Sequence, residues 1–340
     1  MEWDQLEQVH SGIPMRAANN NNMRDDSYFD RLFSYFQSQF TEEIIKFQPI
    51  RGHVFFVETK SKSIIIKGYR KNQRLKLQEA FTDTLRKEGF LKTYKYMEPP
   101  VHSQLFFEGT YFGCIEYIPP NKTAFSFHSQ KNRQEGLDLL EQFHQTTGTF
   151  ESRYRTLLPE GDINGKWVGR LEQFTNNLPI LRYYIAEAYI LEMISWGQWS
   201  LSRIDGKLSF EAEPNVILHG DVAHHNFMRN RSGQLFLIDF DLINIGPPAF
   251  DYLQYANRIL PYLNWSDEQL FSHSQLKKYV NDPIFLSALV YPADIYREWN
   301  RIIRENKYQN PKKLKSIIDL SIGQFSSRKK FVEKLKGILE

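Results

Sequence analysis

The chain has 340 residues, 41% hydrophobic and 24% charged, which is the composition of a globular protein with enough apolar material for two cores. A formal charge of +3 is too small to indicate a nucleic-acid-binding protein, so no nucleic-acid partner is expected. The single cysteine, Cys114, excludes an intramolecular disulfide. No apolar run approaches the ~20 residues that span a bilayer, so no membrane span is expected. Because no secretory signal is visible either, we expect a cytoplasmic protein.

The first third of the sequence predicts a small antiparallel sheet with flanking helices. Residues 1–25 are expected to form a flexible leader, because they contain a polar run at residues 19–22 near their end. Helical patterns cover residues 26–40 and 73–88. Period-two and apolar segments predict five strands, at residues 44–50, 53–59, 63–69, 104–107 and 111–117.

Beyond this part the pattern becomes mainly helical. Pro119 and Pro120 break the last strand, which places the boundary between two lobes after residue 118. Short strand-like segments at residues 216–218, 227–229 and 235–238 interrupt the later helices. We therefore predict an α+β fold with an N-terminal lobe of residues 26–118 and a C-terminal lobe of residues 119–340.

The chemistry is concentrated between residues 216 and 241. A predicted strand leads into a loop with His219, Asp221 and Asn226, and a turn then returns the chain to Asp239 and Asp241. A spacing of two on a strand places both carboxylates on one side. Together with Asn226 they offer the oxygen ligands that suit Mg²⁺, and Asp221 is left to receive the proton of an acceptor hydroxyl. A metal, positioned groups and one carboxylate base are what phosphoryl transfer requires.

The two motifs His-Gly-Asp-x-x-x-x-Asn at residues 219–226 and Ile-Asp-Phe-Asp at residues 238–241 resemble a known family. It is the aminoglycoside phosphotransferase and choline kinase branch of the protein-kinase-like fold. The continuation Gly-Pro-Pro-Ala-Phe-Asp at residues 246–251 is similar to the same family. Within the branch the chain is most similar to the spore-coat-associated kinase-like proteins of the CotS type. The resemblance covers about residues 40–330 and implies a bilobal fold that binds ATP and Mg²⁺ between its lobes.

The resemblance implies a role for each matching residue of the C-terminal motifs. Asp221 is the implied catalytic base, and His219 supports its loop from below. Asp251 is implied to brace the same loop by accepting backbone hydrogen bonds, which is a structural role. The implied metal ligands are Asn226 and Asp239. For Asp241 two roles stay open, an accessory metal ligand or a residue that orients its neighbours.

In the N-terminal lobe the resemblance implies a nucleotide-binding set. Lys67, at the end of an apolar strand, is implied to contact the α- and β-phosphates, with a solvated lysine as the alternative. Its implied partner on the following helix is Glu79, with Glu88 as second choice. Glu116 to Ile118 fit the connector that offers backbone groups to adenine.

One departure from kinase-like patterns keeps two classes of function open. The first hairpin turn contains Arg51-Gly52 and no Gly-x-Gly-x-x-Gly motif, so phosphate binding by this turn is not evident. We expect an ATP- and Mg²⁺-dependent phosphotransferase that acts on a hydroxyl of a small molecule. The alternative is a catalytically inactive kinase-like scaffold of the spore coat, with coat proteins as partners. The sequence does not select among sugars, amino alcohols and aminoglycosides as acceptors.

Overall fold

The computed structural model describes residues 23–98, 104–204 and 213–340, with side chains from Ser27 onward. Residues 1–22 of the predicted leader lie outside these ranges, and residues 23–25 belong to the first described helix. The described residues form two compact units. The sheet unit comprises those up to Ala124 together with Phe227–Asp241, and the helical unit comprises those within Phe125–Asn226 and Leu242–Glu340.

The sheet unit is built on an antiparallel sheet, as the alternating apolar pattern predicts. Its helices are α1 (Met23–Gln39) and α2 (Asn72–Lys87). Its sheet strands are β1 (Ile44–Arg51), β2 (Val54–Thr59), β3 (Ser63–Tyr69), β4 (Tyr96–Met97), β5 (Phe106–Phe107) and β6 (Thr110–Glu116). The sheet order is β1-β2-β3-β6-β4, and β5 also pairs with β6.

One face of this sheet is covered by α1. Leu32 and Phe36, four residues apart on α1, are fully buried against the strand residues Ile64 and Ile66. The ring of Phe36 meets that of Phe112 edge to face, with centroids 5.1 Å apart. Because alternate strand residues point to opposite faces, Lys67 lies on the other face from Ile64 and Ile66.

The face that carries Lys67 is the one against which α2 packs. Lys67 is opposite Gly113 in the β3–β6 register, so the two residues share a face. A Cβ atom on Gly113 would lie 2.5 Å from Leu75 Cδ1 and 2.8 Å from Tyr96 Cε1. A glycine is therefore needed at residue 113 for α2 to approach the sheet.

A second hairpin, β8 (Phe227–Arg229) and β9 (Leu235–Leu237), belongs to the sheet unit although it comes late in the chain. The backbone N–H of Asn121 donates to Arg229 O at 2.7 Å, and that of Leu237 donates to Lys92 O at 2.9 Å. The buried ring of Phe240 packs on that of Phe81 at 5.3 Å. These contacts fix the position of the residues that follow β9.

The helical unit supplies most of the helices among the described residues. They are α3 (Gln130–Gly148), α4 (Ile163–Asn176), α5 (Leu178–Leu181), α6 (Glu187–Ile204), α7 (Ala249–Ile259), α8 (Asp267–Phe271), α9 (Ser274–Lys277), α10 (Pro283–Val290), α11 (Ala293–Arg304), α12 (Pro311–Ile322) and α13 (Phe325–Leu339). None of the helices in the described ranges combines the length and apolarity needed to cross a bilayer.

A short antiparallel pair, β7 (Val216–Leu218) and β10 (Asn244–Gly246), lies within the helical unit. The hydroxyl of Thr147, near the end of α3, donates to Ile217 O at 3.0 Å and fastens β7 to that helix. All three residues of β7 are buried, so the loop that leaves β7 starts from a fixed point in the core. The predicted α+β architecture, a small antiparallel sheet followed by a mainly helical part, is confirmed.

Candidate functional site

The loop after β7, residues 219–226, carries the candidate catalytic residues of the helical unit. It begins with a sharp turn at Gly220, whose φ of +77° favours glycine. A Cβ atom there would lie 2.2 Å from the carbonyl oxygen of Leu242, so no larger residue fits. His219 is fully buried, and its Nδ1 accepts a hydrogen bond from the Asp221 N–H at 3.3 Å. The loop ends in a 3₁₀ turn at His224–Asn226.

Asp251 on α7 holds the start of this loop. Its carboxylate accepts the backbone N–H of His219 at 2.7 Å and that of Gly220 at 3.0 Å. His144 Nε2 lies 2.9 Å from the same carboxylate, and both side chains are buried. Burial alone would raise the pKa of Asp251, but the His144 bond, the nearby His144 and His219 charges and the His219 N–H together lower it. Asp251 is thus a buried carboxylate that receives loop N–H groups, as the implied bracing role requires.

Two further residues of α7 contact the loop, and sequence reasoning missed both. Gln254 Oε1 accepts the N–H of Val222 at 2.7 Å, and Gln254 Nε2 donates to Gly220 O at 3.1 Å. Arg258 Nη2 donates to Asp221 Oδ1 at 2.7 Å. Positions 251, 254 and 258 are spaced i, i+3 and i+7, which places them on one helix face. That spacing of polar residues was the available signal.

Asp221 and Asn226 are held in defined positions by these contacts. The Asp221 side chain is 31% exposed and that of Arg258 is 15% exposed. The Asp221 carboxylate is therefore accessible to solvent while its loop is held by hydrogen bonds to α7. Asn226 is buried, and its amide nitrogen donates to Asp221 O at 2.8 Å. With the nitrogen used in this way, the amide oxygen is the atom of Asn226 that can serve as a metal ligand.

A separate group of candidate residues lies in the sheet unit. Lys67 Nζ is 2.8 Å from Asp239 Oδ1 and 2.7 Å from Asp241 Oδ2. The Lys67 side chain is only 12% exposed, because it lies in the middle of the sheet between β2 and β6. The structure therefore brings together three of the predicted residues as one lysine with two carboxylates.

The two carboxylates do not reach Lys67 by strand alternation, so the strand argument for their convergence was wrong. Strand β9 ends at Leu237, and residues 240–242 form a 3₁₀ turn. Asp239 has a φ of +69°, a left-handed conformation that costs energy for a residue with a Cβ atom. This backbone turn directs both carboxylates to one side. Asp239 Oδ2 also accepts a hydrogen bond from Arg51 Nη2.

Glu79, the implied partner of Lys67, has a different neighbour in the structure. Its carboxylate is 2.8 Å from Lys76 Nζ, one helical turn away on α2. The residue that faces the sheet at this level is Gln78, which is fully buried and donates to Phe240 O at 2.8 Å. Adjacent helix residues differ in direction by about 100°, which accounts for the difference. Arg74 Nη2 donates to the carbonyl oxygen of Asp241 from the same face.

Glu116 and Ile118 lie where β6 gives way to an extended segment. Glu116 is the last residue of β6, and its N–H donates to Lys95 O at 3.0 Å. Ile118 is half-buried in the segment that follows. The segment is then fixed to the second hairpin, since Pro119 O accepts the N–H of Arg231 at 2.8 Å.

The donor set around Asp239 fits a hard cation that also binds phosphates. Among the described residues there is no cluster of three or more His, Cys, Asp or Glu side chains arranged for a metal. Asp241 Oδ1 is buried, and no hydrogen-bond partner for it exists within the described ranges. Mg²⁺ is commonly held by one or two carboxylates plus substrate phosphates and water, so Asp239 and Asp241 suffice on the protein side.

The sequence matches one family model over residues 48–269, that of the phosphotransferase enzyme family. This range is well over half of the chain and contains both groups of candidate residues. The chain therefore belongs to the phosphotransferase enzyme family. None of the curated proteins matches the sequence.

Solved structures of phosphotransferases share the fold along almost the whole chain. An aminoglycoside phosphotransferase from Alicyclobacillus acidocaldarius superposes with a TM-score of 0.66 at 16% identity, over 96% of this chain and 98% of that one. An amicoumacin kinase in complex with AMP-PNP gives 0.57 at 15% identity, over 92% and 96%. A GDP complex of aminoglycoside 2'-phosphotransferase-IIIa gives 0.59 at 13% identity, over 88% and 98%. The predicted kinase-like fold is confirmed.

Proposed function

We propose that this protein transfers the γ-phosphoryl group of ATP to a hydroxyl of a small molecule. The observation that carries the proposal is the way Asp221 is presented. Its loop is fastened to α7 through Asp251 and Gln254, and its carboxylate remains accessible beside Arg258. A carboxylate held in this way can receive a proton without reorganising the protein, which is how an ordered general base acts.

The proposed reaction forms a bond between the acceptor oxygen and the γ-phosphorus of ATP. The bond between that phosphorus and the oxygen bridging to the β-phosphate breaks, and ADP leaves with the bonding electrons. Asp221 receives the hydroxyl proton, and its loop keeps the acceptor oxygen in line. His219 supports the loop through its bond to the Asp221 N–H. Proton and charge are thereby balanced without a further reactant.

The sheet unit provides the proposed nucleotide-binding groups. Lys67 is a buried cation suited to the α- and β-phosphates, and the segment from Glu116 to Ile118 offers backbone groups for adenine. We propose Asp239 and Asp241 of the sheet unit as residues that hold Mg²⁺, which supplies charge neutralisation to the phosphates when bound. Asn226 of the helical unit stays a ligand predicted from its motif. The nucleotides bound in similar structures support a nucleotide as the phosphoryl donor, since the amicoumacin kinase was solved with AMP-PNP and a spectinomycin phosphotransferase with ADP.

Replacing Asp239 with alanine is expected to abolish the Mg²⁺-dependent part of ATP binding. Asp239 accepts a bond from Lys67 and is the carboxylate best placed to hold a cation on the phosphates. Titration calorimetry with ATP, with and without Mg²⁺, measures the effect. The matched control is Asp83→Ala on α2, which removes a surface ion pair with Lys87 at 2.7 Å. Unchanged metal dependence in Asp239→Ala would contradict the assignment.

The enzyme itself is tested by following ADP release with pooled hydroxyl-bearing metabolites as acceptors. The proposal predicts ADP release that depends on both an acceptor and Mg²⁺. If the protein neither binds a nucleotide nor releases ADP with any acceptor, the kinase-like scaffold becomes the better account, and association with spore-coat proteins becomes the property to measure.

A further inference from the structure

One ion pair, two ring contacts and short separations along the chain connect the residues around Asp221. Asp221 Oδ1 is 2.7 Å from Arg258 near the end of α7, and Tyr262 follows Arg258 by four residues. The Tyr262 ring centroid lies 6.0 Å from that of Phe127. Phe127 in turn lies 6.0 Å from His224, which is three residues after Asp221 in the loop. These residues therefore lie near one another in the helical unit, and we term them the acceptor patch.

The acceptor patch is cationic and aromatic. Another ring, that of His128, lies 4.9 Å from the Tyr262 ring. The three segments that form the patch, residues 125–134, 222–226 and 252–264, contain no aspartate or glutamate. Their basic residues are Lys131, Arg133, Arg258, His128, His224 and His225, and their other titratable residues are Tyr252, Tyr255 and Tyr262. Two carboxylates directly precede these segments, Asp221 itself before residue 222 and the buried Asp251 before residue 252. Glu135 and Asp267 follow the first and the third segment, and Asp267 is paired with Lys334 at 2.7 Å.

We propose that the acceptor is a hydroxyl compound bearing an anionic group, which Arg258 binds while Asp221 receives the hydroxyl proton. The inference rests on the proposed function, because it takes Asp221 as the base. A guanidinium has five N–H donors in a planar fork, so it can hold a carboxylate or phosphate while it keeps its bond to Asp221. A polycationic amino sugar would place ammonium groups beside Arg258, and like charges are repelled.

The test uses acceptors of similar size and different charge. Gluconate and glucose 6-phosphate are the anionic members, glucose is neutral, and glucosamine and kanamycin are cationic. Two readouts are taken: acceptor-dependent thermal stabilisation in the presence of ADP and Mg²⁺, and ADP release with ATP. We expect the anionic compounds to stabilise the protein most and to be the best substrates. The two anions distinguish a carboxylate from a phosphate as the recognised group.

Arg258 variants connect the preference to the structure. Arg258→Gln is expected to raise KM for the anionic acceptor ~10–100-fold, the value of a charge-assisted hydrogen bond, and Arg258→Lys less. Arg301→Gln, which loses a surface ion pair with Glu298, is the matched control. A preference for amines, an absence of charge preference, or a preference that Arg258→Gln does not alter would overturn the inference. Failure to bind any nucleotide would instead contradict the proposed function.

A separate contact concerns Arg51 in the sheet unit. Asp239 is bonded through both carboxylate oxygens, by Lys67 to Oδ1 and by Arg51 to Oδ2. The two cations differ in freedom, since the side chain of Lys67 is 12% exposed and that of Arg51 is 44% exposed. Arg51 is the last residue of β1, at a register irregularity and directly before the turn at Gly52. Arg51 can therefore leave Asp239 without disturbing the sheet.

We infer, again on the basis of the proposed function, that Arg51 competes with the metal for Asp239 and moves to the nucleotide phosphates when the metal binds. A guanidinium and Mg²⁺ on the same carboxylate oxygen repel each other, and of the two cations on Asp239 the more exposed Arg51 is the one that can move away. The β1–β2 turn has a single glycine and offers few free backbone N–H groups, and a mobile arginine is suited to phosphate recognition.

Calorimetric titration of Arg51→Gln with Mn²⁺ alone, and separately with ATP and Mg²⁺, tests this competition. We expect the variant to bind Mn²⁺ alone several-fold more tightly and ATP with Mg²⁺ several-fold more weakly than the unaltered protein. Arg31→Gln, which removes an exposed pair with Glu108 in the same unit, is the control. Equal or weaker Mn²⁺ binding by Arg51→Gln, or unchanged ATP binding, would overturn the inference. The Mn²⁺ arm needs no nucleotide and so does not depend on catalysis.

Discussion

Replacing Asp221 with asparagine is expected to lower kcat by ~10²–10⁴-fold, the usual contribution of a positioned general base. Asparagine keeps the shape of the side chain and can still accept a hydrogen bond from Arg258, but it cannot take the hydroxyl proton. The nucleotide-binding groups proposed here lie in the sheet unit, so the dissociation constant for ATP with Mg²⁺ should stay within a factor of about two. Steady-state ADP release and calorimetry on the same preparation measure the two quantities.

The control for Asp221→Asn is Asp267→Asn, which loses a surface carboxylate paired with Lys334 at 2.7 Å, the same distance as in the Asp221–Arg258 pair. It should retain full activity, because it changes charge by the same amount outside the acceptor patch. A variant Asp221→Asn with full kcat would contradict the assignment of the base. Loss of ATP binding in that variant would show that Asp221 acts on the nucleotide or the fold.

Replacing Asp251 with asparagine is expected to destabilise the helical unit by about 3–5 kcal/mol, the cost of breaking a buried ionic network. Asp251 accepts three bonds, from His219 N, Gly220 N and His144 Nε2. An amide oxygen can accept only part of this set, and the amide nitrogen would face another donor. Urea denaturation followed by far-UV circular dichroism gives the free energy of unfolding.

The pH dependence separates this role from a purely steric one. The pKa of Asp251 is lowered in the folded protein from its ordinary value of 3.8. Its stabilising contribution is therefore complete above that pH and is lost as the pH falls through the lower folded value. The stability gap between the unaltered protein and Asp251→Asn should narrow below pH 3.8. A gap that persists unchanged in acid would exclude the ionised carboxylate as its source.

The spacing of residues along the sequence predicted that His219, Asp221 and Asn226 share one loop. A buried strand followed by a glycine turn allows this loop few backbone conformations. His219, Asp221 and Asn226 need only local chain to come together. The sequence placed Lys67 at the end of an apolar strand, and the alternation of β3 in the structure puts it on the face opposite the buried Ile64 and Ile66. These features depend on periods of the backbone that a sequence shows directly.

Features that depend on packing across the fold could not be predicted in the same way. The left-handed backbone at Asp239 costs energy locally and is maintained by Lys67 and by the packing of Phe240. Gln78 and not Glu79 faces the sheet from α2, and the two side chains differ in direction by about 100° around the helix axis. The close packing of α2 at Gly113 determines which of them faces the sheet. The interruption between α5 and α6 is likewise not visible in the sequence, because helical periodicity does not locate interruptions.

The central claim is that this member of the phosphotransferase enzyme family binds and uses a nucleoside triphosphate. Thermal unfolding in the presence of ATP, GTP or ADP, each with and without Mg²⁺, tests it most directly. A nucleotide at 100 times its dissociation constant should stabilise the folded protein by ~2.7 kcal/mol if it binds only that state. We predict such stabilisation by a triphosphate, dependent on Mg²⁺ and lost in Asp239→Ala. No stabilisation by any of the three nucleotides at millimolar concentration would contradict the claim.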